Sequence, residues 1–417
     1  MTQPLRKNRD FILLQSGQVL STIGSESTVI AYPLLVLALT HSPAKAGIVG
    51  FARVAPWGVF GLVAGLAVDR FPRRRMMIVS DVVRACALAS IVVAVAVGHL
   101  TFAQVAAVAF LEGSMYVFFN IAEIGALRSV VAREQLPTAA AAEQARYSTV
   151  TIVAPPLGGS LFGIGRAFPF LAGAISPVFS LATLLAIRTP FQEERARDKT
   201  PLRGRLAEGF RFLWARPFLR TCALMFTWTN LVFEGIVLAF IVIARRHGLS
   251  GAQIGLLITL FGVCSLAGSA LSPRLQKLLG MRAIVVGSYW IQLLVAAYLV
   301  YPSPYVLLGA FLPSAFFAPT LNAVIIGYRV AVTPDHLTGR VNSVARTIAI
   351  FGAPLGSLAA GFLLGSFSAR TTMAVFTIML VLLTAFATLS PSIRDAPSLD
   401  ELRPVEPMEP AFPELVG

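Results

Sequence analysis

Twelve apolar stretches of membrane-spanning length follow one another along the chain. They fall at about 11–38, 47–68, 76–98, 101–126, 146–165, 167–188, 218–244, 251–271, 282–301, 304–327, 344–365 and 371–390. Each is about long enough to cross ~30 Å of hydrocarbon as a helix. Helix is required of such runs, because the hydrocarbon offers nothing to satisfy free backbone N–H and C=O groups. Composition points the same way: 56% of the 417 residues are hydrophobic and 13% are charged, against about 45–50% and 25% in soluble domains. That argues against a soluble enzyme. One or two anchors on a soluble domain would not raise the whole-chain average so far.

The formal charge is +14, which in a polar domain would suggest nucleic acid. Here the basic residues sit in short clusters between apolar runs, the topogenic pattern of a membrane protein, so nucleic acid is not an expected partner. Twenty-seven Lys and Arg fall on one side of the twelve-span reading and 5 on the other, with Arg53 and Arg84 inside spans. The bias predicts an even number of spans with both termini in the cytoplasm. The basic start (Arg6, Lys7, Arg9) runs into the first span without a small-residue cleavage site, and is read as that span's flank. Cys86, Cys222 and Cys264 lie far apart in apolar runs, without zinc or redox spacing. No metal or other cofactor is expected.

The longest polar stretch between spans, 189–217, divides the chain into two six-span halves, 1–188 and 218–391. Within it Leu202, Leu206, Phe210 and Leu213 recur at helical spacing, as in an amphipathic helix on the inner leaflet. The tail, 392–417, is polar and Pro-rich and is expected to be disordered. The halves also match each other. Arg128-x-x-Val131-x-x-Glu134-x-Leu136 parallels Arg329-x-x-Val332-x-x-Asp335-x-Leu337, offset by 201. Pro156-Leu157-Gly158-Gly159 parallels Pro354-Leu355-Gly356-Ser357, offset by 198, and Gly65-x-x-x-Asp69 parallels Gly268-x-x-x-Ser272, offset by 203. Three matches at nearly one offset indicate a duplication. Duplicated six-span halves are a transporter architecture with the substrate path between them.

The loop after the second span reads Gly65-Leu-Ala67-Val-Asp69-Arg70-Phe71-Pro72-Arg73-Arg74. This resembles the major facilitator signature G-x-L-A-D-R-x-G-R-R, with Pro72 where the family usually has Gly. The resemblance implies a latch. Asp69 would cap the start of span 11 near Asn342, a contact worth about 0.3–1 kcal/mol at a helix N-terminus, and Arg73 would meet Glu123 at the end of span 4. In span 5, Ala154-Pro155-Pro156-Leu157-Gly158-Gly159 is similar to the antiporter motif G-P-x-x-G-G of exporters that exchange substrate for protons, with Ala154 for the first Gly. Ordinary small-residue packing would leave the same text. With Asp81-x-x-Arg84 and Leu337-Thr-Gly-Arg340-Val-Asn-Ser, nearly the whole chain resembles the macrolide-efflux and siderophore-export branch, the transmembrane secretion effectors. Span 4 departs from many drug–proton antiporters: it lacks a mid-membrane Arg, since Arg128 lies at its end.

Deep polar residues are the remaining clue. A charge at the bilayer centre costs at least ~2.5–3.5 kcal/mol, so it faces a cavity or a partner. Glu26, Glu112 and Glu234 of spans 1, 4 and 7 would lie roughly 15–18 Å from the outer surface at 1.5 Å per residue. Each is a candidate for carrying a proton or touching substrate; the competing reading is a structural carboxylate paired with Arg53. Asn120, Asn230, Asn322 and Gln292 are candidate cavity hydrogen-bonders. No HExxH, GxSxG or P-loop occurs, so an ion gradient is the expected energy source. The sequence reading is therefore an all-α membrane protein of a bacterial plasma membrane, expected as a monomer. Its twelve helices form two pseudo-symmetric bundles, and it exports a small amphiphilic molecule in exchange for protons. An importer of the same fold, a lipid-translocating protein or membrane enzyme, and a non-transporting sensor remain open.

Overall fold

Every apolar run of the sequence is helical, and the polar residues between runs decide where the helices turn. The computed structural model describes residues 5–191 and 202–396, apart from the side chains of Arg6, Leu62, Leu66, Asp69, Arg133, Pro137, Leu202, Arg203, Arg205, Leu206, Asp335 and His336. The tail from 397 and the linker 192–201 lie outside the described residues. The N-terminal half consists of α1 (Arg9–Thr40), α2 (Pro43–Arg70), α3 (Arg73–Ala96), α4 (Phe102–Val130), α5 (Leu136–Ile164) and α6 (Phe168–Ala186). A short helix, α7 (Leu202–Ala215), precedes the C-terminal half. That half holds α8 (Pro217–Arg246), α9 (Gly251–Leu278), α10 (Met281–Gln292), α11 (Ala297–Val300), α12 (Pro304–Val332), α13 (Asp335–Ile350), α14 (Gly352–Ser366), α15 (Ala369–Leu389) and α16 (Pro391–Arg394).

Serine or threonine starts five of the helices, α2, α4, α9, α12 and α15. Ser42, Thr101, Ser250 and Ser368 each accept a hydrogen bond from the backbone N–H three residues on, and Ser303 from that two on. Each cap satisfies a donor that the first turn leaves free. Two expected spans are broken. The run 282–301 passes through a 3₁₀ turn, Leu293–Ala296, between α10 and α11. The run 344–365 belongs to α13 and α14, which meet at Phe351. Pro354 explains the second break: it has no N–H for the carbonyl of residue 350, and its ring crowds that carbonyl. The carbonyls loosened there find side-chain donors, Thr227 Oγ1 to Ile348 O at 2.7 Å and Asn230 Nδ2 to Ala349 O at 3.0 Å.

Among the described residues, 10 helical segments are long and apolar enough to cross a membrane. The α13–α14 pair counts there as one segment, as do α10 and α11 with the turn between them. Helices α2 and α5, of 28 and 29 residues, fall outside that group. In α5 the first turns carry Glu143, Gln144 and Arg146, and the middle is rich in Thr, Pro and Gly. Large apolar side chains such as Val59, Ile175, Leu256, Val300 and Leu389 stand exposed on the helices. A lipid bilayer is the environment that such a surface suits.

Three clusters of buried side chains show how the halves meet. One draws on both: Ile30, Val49, Val105 and Phe170 share a core with Ile236, Phe240, Leu307 and Met373. The second, with Phe218, Val285, Tyr328 and Val341, belongs to the C-terminal half. The third, with Phe11, Met77, Phe119 and Leu184, belongs to the N-terminal half. The shared core lies away from the termini, while the separate cores hold Phe11 and Ile393, close to them. The halves are thus joined at the far end and parted at the terminal end.

The joints are made by the repeated text. Helix α5 lies against α1 and α9, and α14 lies against α8 and α2. A Cβ on Gly158 would stand 2.1 Å from Ser27 O of α1, and one on Gly356 would stand 1.9 Å from Leu231 O of α8. Only glycine permits such backbone approach. Each crossing has a second face toward the other half: Gly159 on Gly251 O of α9, and Ser357 O beside Gly47 of α2.

Helix α7 sits on α13. Its buried Leu213 joins the C-terminal core, Gly209 abuts the Arg340 backbone, and Glu208 pairs with Arg340. Phe210 and Trp214 stack at 5.0 Å on its exposed face.

Candidate functional site

The centre of the N-terminal half holds a buried charge group assembled from three helices. Gly113 of α4 packs against the Arg53 carbonyl of α2, where a Cβ would lie 2.1 Å away. That approach sets neighbouring Glu112 beside Arg53, with Nε 3.8 Å from Oε2. Glu26 of α1 closes the group at 3.7 Å from the same guanidinium. Tyr32 donates to Glu112 Oε2 at 2.8 Å, and Thr28 lies 3.5 Å from Oε1. The two acids differ in access: the Glu112 side chain is 2% exposed and that of Glu26 is 32% exposed. Arg53 Nε is buried without a hydrogen bond. Glu234 of α8 belongs to the other half, close enough for Arg53 and Glu26 to act on it. One arginine thus serves two carboxylates and lies in the field of a third. A buried pair breaks badly when one member is removed, but two acids around one arginine leave room for a proton.

A second group of the same composition lies nearer the terminal end. Arg146 of α5 meets Glu123 of α4 at 2.9 Å and pairs with Glu143 one turn away. It also donates to Thr22, while Gln15 donates to Glu143 at 3.2 Å. The expected partner of Glu123 was Arg73. Arg73 instead donates to the carbonyls of Gly125 and Phe191 at 3.0 Å each. The reason is length: α5 begins at Leu136, about ten residues before its apolar run, and so carries Arg146 into the bundle. The latch assigned to Asp69 lies outside the described residues. Around it, Gly65 has open space where a Cβ would point, Arg70 is exposed, and Arg74 donates to Leu185 O at 2.9 Å. Between the two groups, Arg84 and Asp81 of α3 form a fully buried pair at 3.4 Å, and Arg84 also bonds Ser25.

The C-terminal half encloses a cavity of about 720 Å³ between α8, α10, α12 and α13, open toward Tyr147 of α5. Asn230 and Asn322 line it; Asn120 does not, and neither do Glu26, Glu112, Glu234 or Arg53. Asn230 is half spent on structure, since its Nδ2 donates to Phe226 O and Ala349 O. Phe226, Phe233 and Phe311 give the cavity apolar walls, and Arg329, Asn342 and Arg346 give it polar ones. The sequence reading missed Arg329 and Arg346 as cavity residues, along with Arg146 and Glu143, and named Asn342 only beside the latch. Arg146, Arg329 and Arg346 were absorbed into the count of topogenic charges; only the helix faces distinguish them. Pro155 and Pro156 stand at the α5–α9 crossing against Gly255, and Gly158 and Gly159 make the approaches described above. Among the described residues no group of three His, Cys, Asp or Glu could hold a metal ion.

Two parted halves, a charge group on one face and a cavity on the other, describe a transporter interior, and comparison with known proteins agrees. Residues 2–414 match the model of a family described as transmembrane secretion effectors. The chain belongs to that family. The multidrug efflux pump Tap of Mycolicibacterium fortuitum is 26% identical over 403 residues, covering 93% of this chain and 97% of the pump. Macrolide efflux protein A of Streptococcus pyogenes is 25% identical over 195 residues, 46% of this chain and 47% of that protein. Among solved structures, a bacterial homologue of the human lysosomal transporter Spinster, inward-facing and unoccupied, superposes with a TM-score of 0.73. It is 15% identical and covers 94% of this chain and 98% of that one. The transmembrane secretion effector described here is therefore an all-helical transporter of the major facilitator type, a multi-pass protein of a bacterial inner membrane.

Proposed function

We propose that this protein is a proton-coupled antiporter that exports small amphiphilic compounds, and not an enzyme. It would cross the membrane twelve times as a monomer, α2 and α5 included, with two six-helix bundles and both termini in the cytoplasm. The observation that carries the reading is the asymmetry of the cores: one core joins the halves at the far end, and separate cores leave them parted at the terminal end. With the 27:5 bias of basic residues placing the terminal end inside, this is a cytoplasm-open state, ready to load an exported compound. Rocking about the α2–α14 and α5–α9 crossings would part the far end and close the other. Protonation of Glu26, Glu112 or Glu234 from outside neutralises part of the charge group and competes with substrate. Release of that proton to the cytoplasm restores the state described here. The similarity to Tap supports a drug-like substrate.

The test is a susceptibility panel in a host lacking its own efflux pumps, with and without an uncoupler. The expected outcome is resistance to a subset of lipophilic drugs that the uncoupler abolishes. Resistance that survives the uncoupler contradicts proton coupling. Greater sensitivity on expression, with accumulation in intact cells, points to import.

A further inference from the structure

The charges around the C-terminal cavity do not balance, and the geometry points to an anionic amphiphile as its ligand, a carboxylate, sulfonate or phosphate on an apolar body. The inference rests on the export reading for its physiological meaning, not for its chemistry. Arg329 and Arg346 both line the cavity, and no Asp or Glu does. Arg329 makes no ion pair or side-chain hydrogen bond among the described residues, and its Nε is buried without a partner. Arg346 lies over the Trp57 ring at 5.2 Å and pairs with no carboxylate among the described residues. Asn342 stands four residues before Arg346 on α13, hence on the same face, and its Oδ1 is buried without a donor.

The acids of the opposite half do not supply the missing charge. Glu26 and Glu112 share Arg53, and Glu123 and Glu143 share Arg146. Glu234, on α8 of the same half, does not line the cavity. Arg329 is half-buried with an enclosed, unpartnered Nε, which is costly; Arg346 is exposed, and the planar fork of either matches a carboxylate or phosphate. A topogenic arginine would need only water at the membrane surface. Two of them turned into one cavity, with Phe226, Phe233 and Phe311 on its walls, fit a ligand with an acidic head and an aromatic or aliphatic body.

Binding of three tritiated probes, 2-naphthylacetate, its neutral amide and 2-naphthylmethylammonium, is measured on the full chain in zwitterionic nanodiscs, with empty nanodiscs as blank. The anion is expected to bind at least tenfold tighter than either other probe. Arg329→Gln should remove that preference while leaving the amide within twofold, and Arg329→Lys should retain part of it. Equal binding of the three probes by the wild type overturns the inference, and so does an equal loss for all three in Arg329→Gln. The wild-type comparison needs no variant to fold. The same probes under an imposed pH gradient in proteoliposomes separate the two readings. Anion-selective binding without gradient-driven movement of any probe sinks the export reading and keeps the site. Gradient-driven movement of the ammonium probe without anion preference does the reverse.

Discussion

Gly158 rests on the Ser27 carbonyl of α1, and Gly356 rests on the Leu231 carbonyl of α8, yet the interiors built around these matching crossings are charged in opposite ways. The N-terminal half buries Glu112, Glu123 and Asp81 and half-buries Glu26, with Arg53, Arg84 and Arg146 among them. In the C-terminal half, Arg329 and Arg346 line a cavity and pair with no carboxylate among the described residues. A duplicated backbone fixes where helices cross and how halves rock. It leaves the side chains on the inner faces free to diverge. Acids shared around an arginine suit a group that gains and loses protons; arginines without acids suit a ligand that arrives with its own charge. On this view the reversible charge sits mainly in one half and the substrate mainly in the other, and Glu234 is the residue of the second half that reports on the first.

Substitutions in the charge group should separate the halves most strongly. Arg53→Met leaves Glu26 and Glu112 without their cation and should cost roughly 3–5 kcal/mol, read as a lower midpoint in thermal unfolding of the detergent-solubilised protein. Adding Glu112→Gln should restore at least half of the loss; no recovery would mean that Arg53 acts through packing alone. Gly159→Val puts a side chain where Gly251 O now lies, at 2.1 Å from the Cβ position. The expected cost is about 1–3 kcal/mol, falling on the far-end joint. A cysteine placed there should become reactive to an impermeant thiol reagent, and unchanged reactivity would deny that this crossing seals the far end. Glu234→Gln should leave folding nearly intact and lower gradient-driven efflux about tenfold, equivalent to about 1.4 kcal/mol. Full efflux in that variant would confine coupling to the N-terminal half. The smallest effect is expected from Asp69→Asn. A helix-terminus contact of about 0.3–1 kcal/mol predicts a two- to fivefold change in transport at equal expression, and none at all would remove the latch.

Much of this architecture was legible beforehand because hydrocarbon leaves a chain few options. Run lengths marked the helices, and the long polar stretch at 189–217 marked the division between the halves. The repeated Pro-Leu-Gly text marked crossings that the structure makes in equivalent ways. Arg53 beside Glu26 was within reach of simple helix arithmetic. The rest depended on which face of a helix meets which neighbour, and helices that are apolar nearly all round do not declare that. So Arg146 read as a loop charge until α5 proved to begin at Leu136, and Glu123 was matched with Arg73 instead. The break at Phe351 was hidden inside a continuous apolar run, although Pro354 was its signal. The cavity of the C-terminal half, lined by Asn230, Asn322 and two arginines, depended on the same helix faces.

Proton movement during substrate exchange tests the exchange mechanism itself. Purified protein is reconstituted in liposomes with a pH dye trapped inside, and a compound identified in the susceptibility panel is added outside. As the compound enters, protons should leave and the interior should turn alkaline, and Glu112→Gln with Glu234→Gln should abolish that rise while the protein still binds the compound. Compound uptake with no change in internal pH, or an undiminished rise in the double variant, would contradict proton exchange through these carboxylates.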